Sequence, residues 1–155
     1  DVPVFASGDI TSRARAQAVL ATTGATAVMI GRGVQGNPWL LRELLDGHVE
    51  RPGDDELAAE IVRFVREVSR ELGPDRAVGW LRKFYGWYLR GGRLGSHMRA
   101  ALATSKTVEE VERHLIEAAP GAVELIERSD REIAALGDIE DDSYLDLPIS
   151  IYSGG

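Results

Sequence analysis

The sequence has no cysteine in its 155 residues. That excludes disulfides, thiolate metal sites and a thiol nucleophile, and it leaves the redox compartment open. No apolar run approaches the ~18 residues needed to span a bilayer, and no signal peptide is visible. Histidine is scarce: His48, His97 and His114 lie far apart with no partner at ligand spacing, so they read as surface or helix residues and not as a metal site. No Ser/His/Asp set or close carboxylate pair stands out. Acidic residues are missing altogether from one long stretch, Arg76 to Lys106. There is no methionine at the start, where Asp1 leads at once into a strand pattern, and we expect further chain upstream of it.

What is present is globular in character, with 44% hydrophobic and 28% charged residues, enough for one domain or for two small pieces of a larger one. The formal net charge of −7 argues against a general nucleic-acid coat, although a mean can hide a local patch.

The patterning is densest at Ala27-Val28-Met29-Ile30-Gly31-Arg32-Gly33, a short apolar run that stops on a Gly-Arg-Gly turn. Such a run predicts a buried parallel strand whose carboxyl end opens into a binding loop. Val2-Pro3-Val4-Phe5-Ala6 followed by Ser7-Gly8-Asp9 repeats the design. Between them, Thr11 or Ser12 caps a helix from Arg13 to about Thr22, and Gly24 closes it. The order strand, helix, strand predicts a right-handed βαβ unit with parallel strands. Two parallel strands leave edges and apolar faces uncovered, so the unit reads as the last part of a (β/α)₈ barrel, which needs roughly 250 residues, or as the end of an open sheet.

After Gly36, Asn37-Pro38 opens a helix carrying Trp39, Leu40, Leu41, Leu44 and Leu45, and Gly47 ends it. His48 to Asp54 is a connector, with a domain boundary near residue 50. The remainder predicts helices. They run from about Asp55 to Leu72, from Asp75 to about Leu89, from a Ser96 cap through Ala103, from the Thr107–Glu110 capping box to about Ala119, and after Pro120-Gly121 to about Leu136. In the second of these, Ala77, Trp80, Leu81, Phe84 and Tyr88 form one apolar stripe, which leaves Tyr85 and Trp87 as candidates for an exposed stacking surface. Three parts follow: residues 1–50 as the end of a barrel, 51–136 as a helical domain, and 137–155 as an acidic tail expected to be flexible.

Two constellations carry chemistry. Gly31-Arg32-Gly33-Val34-Gln35-Gly36 is literally G-x-G-x-x-G after a strand, the dinucleotide fingerprint context. The match is weak, because the ribose-binding acid of that fold ends a second strand about 20 residues on, and here that region is the Pro/Gly connector. The alternative is a phosphate group held by backbone N–H groups of both glycine loops, with Arg32 supplying a forked donor; barrels build such sites from the loops after strands 7 and 8. A plainer reading also stands, in which the glycines are tight turns and Arg32 a surface charge. The second constellation is basic. Seven of the 18 basic residues (Arg76, Arg82, Lys83, Arg90, Arg93, Arg99 and Lys106) fall in the acid-free stretch and none of the 25 acidic ones does. Arg76, Lys83 and Arg90 recur every seven residues along one helix side, a spacing suited to a phosphate backbone, although a solvated basic face would look the same.

Val2 to Ile10, Gly24-Ala25 through Met29-Ile30-Gly31-Arg32-Gly33, and Gln35-Gly36-Asn37-Pro38-Trp39 together resemble the end of the barrel of bacterial tRNA-dihydrouridine synthases of the B type. The Arg82-Lys83 to Trp87-Tyr88-Leu89 stretch and its flanking helices are similar to that family's C-terminal tRNA-binding helical domain. The resemblance covers roughly residues 2 to 119 and implies an α/β plus all-α fold, the last βα units of a TIM barrel followed by a helical bundle. It implies FMN-dependent reduction of uridine in tRNA, with NADPH recharging the flavin, in a cytoplasmic enzyme. The family's FMN-phosphate contacts fall on Ser7, Gly8, Asp9, Gly31 and Arg32, with Ser7 departing from the usual asparagine. Arg82, Lys83, Arg90, Arg93 and Arg99 are then the candidates for tRNA phosphates. The family's catalytic cysteine and the lysine beneath its flavin belong to earlier strands, so no catalytic residue is expected in this chain and its remaining barrel portion is an expected partner; no metal or membrane is. Two other classes remain open at this point: another FMN- or phosphate-binding barrel enzyme acting on a small molecule, and a stand-alone helical RNA-binding module.

Overall fold

Local sequence signals start and stop the first helix where expected. In the computed structural model, which describes residues 2–47 and 50–136, α1 (Arg13–Thr23) begins at an extended Ser12 whose hydroxyl accepts the Arg15 amide at 3.2 Å. It ends at Gly24, whose amide makes the last helical bond to the Leu20 carbonyl at 3.0 Å and whose left-handed φ of 64° then turns the chain out of the helix. The helix joins two parallel strands, β1 (Phe5–Ser7) and β2 (Ala27–Met29), paired Phe5 to Ala27, Ala6 to Val28 and Ser7 to Met29. Both strands are shorter than their apolar runs. Each has one partner among the described residues, and Val2, Val4, Phe5 and Met29 remain 58–87% exposed. In parallel sheets such residues normally lie under helices or further strands.

A single 3₁₀ turn, Arg32–Val34, leads into α2 (Trp39–Asp46). Pro38 already has helical angles, as its fixed φ favours, but no Asn37 side-chain cap forms. Ile10, Ala16 and Leu40 are the buried apolar residues of this first part.

The larger core belongs to the helices that follow, α3 (Asp54–Leu72), α4 (Pro74–Tyr88), α5 (Met98–Thr104), α6 (Val108–Ala118) and α7 (Ala122–Leu136). α3 lies at its centre, packed against α4, α6 and α7, while α5 packs on α4 and α6. Leu57, Ile61, Val62 and Val65 are fully buried on α3; full burial of such a side chain is worth about 1.5–3 kcal/mol. The start of α3 is fixed by the Gly53 amide donating to the Glu56 carboxylate at 2.9 Å, in a first turn whose Asp54, Asp55 and Glu56 suit the helix dipole. Across the helices, the Arg66 guanidinium grips Glu112 through two bonds of 3.1 and 2.8 Å and faces Asp130 at 3.6 Å, which ties α3 to α6 and α7.

Besides the absent Asn37 cap and the strands, expected to be buried but largely exposed among the described residues, three expectations need correcting. Ser96 does not cap α5, which begins at Met98 with the Met98 amide on the Gly95 carbonyl. The Thr107–Glu110 box forms in its forward half, Thr107 accepting the Glu110 amide. The Glu110 carboxylate takes the Lys106 amide at 2.7 Å, one residue before the position a box predicts, and that bond holds its carboxyl below the usual range. The stripe on α4 is also rotated. Its buried residues are Ala77, Val78, Leu81, Tyr85 and Tyr88, with Tyr85 only 1% exposed, whereas Trp80 is 39% exposed and Trp87 half-buried. Because α3, α5 and α6 all pack on α4, the centre of its buried arc is set by them and lies one position round from the stripe read off the sequence. The expected tail, residues 137–155, lies outside the described residues.

Arg93 closes the connector onto the helices. Its side chain is 14% exposed, donates to the Pro52 carbonyl at 2.6 Å and the Gly53 carbonyl at 3.2 Å, and approaches Asp54 at 4.0 Å. Burial lowers its pKa, and the nearby Arg51 lowers it further.

Two outcomes follow from this packing. Arg93→Met should lower unfolding free energy by about 1.5 kcal/mol, the lower end for hydrogen bonds from a charged donor, since the Pro52 and Gly53 carbonyls are only partly shielded from water, measured by urea titration. Tyr85 has a buried hydroxyl without a hydrogen-bond partner among the described residues, and burial pushes its phenol up to about 12. An unfolded tyrosine ionises near pH 10, so Tyr85 favours the folded state below that pH, and stability falls as pH climbs from there through about 12. Tyr88, also raised by burial, acts in the same direction. Tyr85→Phe should therefore raise stability by about 1 kcal/mol at neutral pH and partly flatten the alkaline loss; a lower urea midpoint at pH 7 would contradict it.

Candidate phosphate cup and basic helix face

Because β1 and β2 run parallel and end level, Ser7 opposite Met29, the loops carrying Gly8 and Gly31 leave the sheet at the same end. They touch. A Cβ at Gly33 would overlap the Ile10 carbonyl oxygen and lie 3.2 Å from Leu40, so only glycine lets the second loop settle on the first. Arg32 reaches across, its Nη2 donating to the Asp9 carboxylate at 3.2 Å. With the two side chains 82% and 76% exposed, this ion pair adds little stability; its effect is to orient a guanidinium that keeps further N–H donors for an anion. Ser7 is exposed at the same rim, and a Cβ at Gly8 or Gly31 would meet nothing within 4 Å, so both glycines face open space.

The three glycines of the G-x-G-x-x-G run thus have three different surroundings. Gly31 is open, Gly33 packs on the first loop, and Gly36 packs on α4: a Cβ there would lie 2.5 Å from the Trp87 carbonyl carbon and 2.7 Å from both the Trp87 oxygen and the Tyr88 nitrogen. In the dinucleotide fold the third glycine serves packing of its own helix on its own strands; here its neighbour comes from the helical part. Between loop and helix lies an open groove of about 470 Å³, lined by Arg32, Asn37 and Trp39 together with Arg51, Trp87 and Arg90. Trp39 and Arg51 were not singled out as site residues by the sequence, since a tryptophan in an apolar helix and an arginine in a connector carry no distinguishing pattern.

The basic face is built on α4 and its neighbours. Arg82, Lys83, Arg90 and Arg99 are exposed and none has a carboxylate within 4.0 Å among the described residues, whereas Arg63, Arg66, Arg70, Arg113 and Arg128 all do. Arg99 on α5 is brought to α4 by Gly86, where a Cβ would stand 2.9 Å from its Nη2. Lys83 places its ammonium 4.5 Å from the Trp80 ring centre and 4.8 Å from that of Phe84. Trp80 and Phe84 stack at 4.3 Å, and Phe84 meets Phe64 of α3 and Trp87 edge-on at 5.2 and 4.9 Å. The partly exposed aromatic surface beside the cations is therefore Trp80 with Phe84 and Trp87, and Tyr85 is not part of it. Arg93, grouped with these cations by sequence, is committed to the connector carbonyls. Among the described residues no three His, Cys, Asp or Glu side chains gather as a metal site, and no helix is long and apolar enough to cross a membrane.

The chain is similar to a protein named "Probable tRNA-dihydrouridine synthase" from Mycobacterium leprae, 37% identical over 116 residues that span 72% of this chain and 30% of that protein. It is similar also to proteins named "tRNA-dihydrouridine synthase B" from Pseudomonas putida, 38% identical over 104 residues (64% of this chain, 31% of the relative), and from Escherichia coli K12, 43% identical over 94 residues (57% and 29%). The chain thus spans less than a third of the length of the relatives it matches. A profile of the family described as "Dihydrouridine synthase (Dus)" matches residues 1–124, and with four-fifths of its length so matched the chain belongs to the dihydrouridine synthase family.

Proposed function

We propose that this chain supplies the flavin-phosphate loops and the tRNA-docking helices of a cytoplasmic tRNA-dihydrouridine synthase that reduces uridines in tRNA to 5,6-dihydrouridine with FMN and NADPH. The observation that carries the reading is the meeting of two glycine loops at one end of a parallel pair, with an exposed arginine between them. The donor set fits a phosphate: Gly8 and Gly31 front open space, Ser7 offers a hydroxyl, and Arg32, oriented by Asp9, keeps N–H groups to give. Bound there, FMN would supply hydride chemetry to the uracil ring.

In this reading the exposed apolar residues of β1 and β2 are covered by the preceding strands of a TIM barrel, which also carry the catalytic groups. Residues 1–50 end that barrel and 51–136 form the helical domain. Arg82, Lys83, Arg90 and Arg99 meet tRNA phosphates, and the partly exposed Trp80 lies beside Lys83 as an aromatic contact for the RNA. Arg93 supports the connector instead of the RNA.

Two outcomes test the two halves separately in the complete enzyme. Arg32→Ala should lower FMN occupancy after dialysis while leaving tRNA affinity within about twofold, the difference between losing a charge-assisted donor and losing nothing; unchanged flavin content would count against the cup. The double change Arg82→Ala with Arg90→Ala should weaken tRNA binding and reduce the slope of log K against log salt by about 2, one unit per lost phosphate contact. Arg93→Met should leave that slope alone. An unaltered slope in the double variant would remove the basic face from the RNA.

A further inference from the structure

Resting on that reading, we infer that Gly36 is a positioning residue: it fixes the basic face of α4 at a set distance and angle from the phosphate cup. The loop from Gly31 to Asn37 is held at both ends. At one end Gly33 sits against the Ile10 carbonyl, which belongs to the loop after β1. At the other, Gly36 sits with its Cα against the Trp87–Tyr88 peptide of α4. Within it, the Gln35 amide donates to the Arg32 carbonyl at 3.1 Å and the Asn37 amide to the Val34 carbonyl at 3.0 Å, so the span between the two contacts is braced. Arg32, the cation of the cup, and Gly36, the contact to the helix, lie four residues apart on this one strut.

The contact at Gly36 is backbone against backbone. Its neighbours are the carbonyl carbon, the oxygen and the next nitrogen of α4, and no side chain there can rotate aside. A methyl group 2.5 Å from that carbon must displace either the loop or the end of α4 by about 1 Å to reach ordinary van der Waals separation. A shift of that size near a reacting geometry can cost about 100-fold in rate. A second attachment, Arg93 on the Pro52 and Gly53 carbonyls, holds the chain just beyond α4 to the connector.

Gly36 has a φ of +72°, so alanine there suffers backbone strain as well as the close contact. Gly24 separates the two: its φ is +64° and a Cβ there meets nothing within 4 Å. In the complete enzyme, Gly36→Ala should keep FMN content and tRNA affinity within about threefold of the parent while the single-turnover rate of uridine reduction on saturating tRNA falls at least tenfold. Gly24→Ala should keep that rate. A parent rate in Gly36→Ala, or an equal loss in Gly24→Ala, overturns the inference. If Gly36→Ala yields no folded enzyme, Arg93→Met loosens the second attachment and should show the same separation of rate from binding; a parent rate there also overturns it. A parent enzyme that holds neither FMN nor tRNA removes the functional reading and this inference together, whereas one that holds both and tolerates Gly36→Ala removes the inference alone.

Discussion

The arrangement depends on one steric condition: the backbone of the loop from Gly31 to Asn37 must approach two other backbones at once. Gly33 meets the carbonyl of Ile10 and Gly36 meets the end of α4. Neither approach tolerates a Cβ, and through them the parallel strand pair, the Arg32–Asp9 pair and the helical part acquire a common frame. Hydrophobic burial reinforces it, because Trp39 from α2 packs against the core formed by α3 to α7 while Leu40, beside it in sequence, lies beneath Gly33. Adjacent residues of one helix thus serve the two parts of the molecule.

Charge is sorted by helix. The acids of α3, α6 and α7 neutralise arginines of those same helices through pairs such as Arg66 with Glu112 and Arg113 with Glu117. α4 and α5 carry cations without acidic partners among the described residues, and one of them, Lys83, rests over an aromatic pair. Lys83 over Trp80 keeps its charge near the surface while covering apolar area, as amphipathic side chains do. An acidic protein can in this way present a basic face without a basic composition.

Much of this was legible in the sequence, because its signals are local. Ser12, Gly24, Gly47, Thr107 and the Gly73-Pro74 pair act within a turn of themselves, and each bounds a helix where the pattern puts it. The level pairing of two glycine-ended strands follows from βαβ geometry. What escaped depends on neighbours distant in sequence. With five aromatics among nine residues, α4 is apolar nearly all round, so periodicity could not choose between Tyr85 and Trp80; the choice was made by the packing of α3, α5 and α6 on α4, which leaves Tyr85 buried and Trp80 partly exposed. Arg93 looked like its fellow cations because its partners are main-chain carbonyls some 40 residues away, which composition cannot reveal. Gly36 read as part of a nucleotide fingerprint for the same reason: a close approach to Trp87 leaves no mark in sequence.

The level register of the two strands has a consequence for how such chains can vary. Inserting or deleting one residue in the turn between Gly24 and Ala27 slides β2 by about 3.3 Å and turns its side chains to the opposite face. The slide would carry Gly31 away from the rim that Gly8 occupies and Gly36 out of contact with α4. A surface turn that looks free to change length is therefore held to its present length by contacts made ten residues downstream.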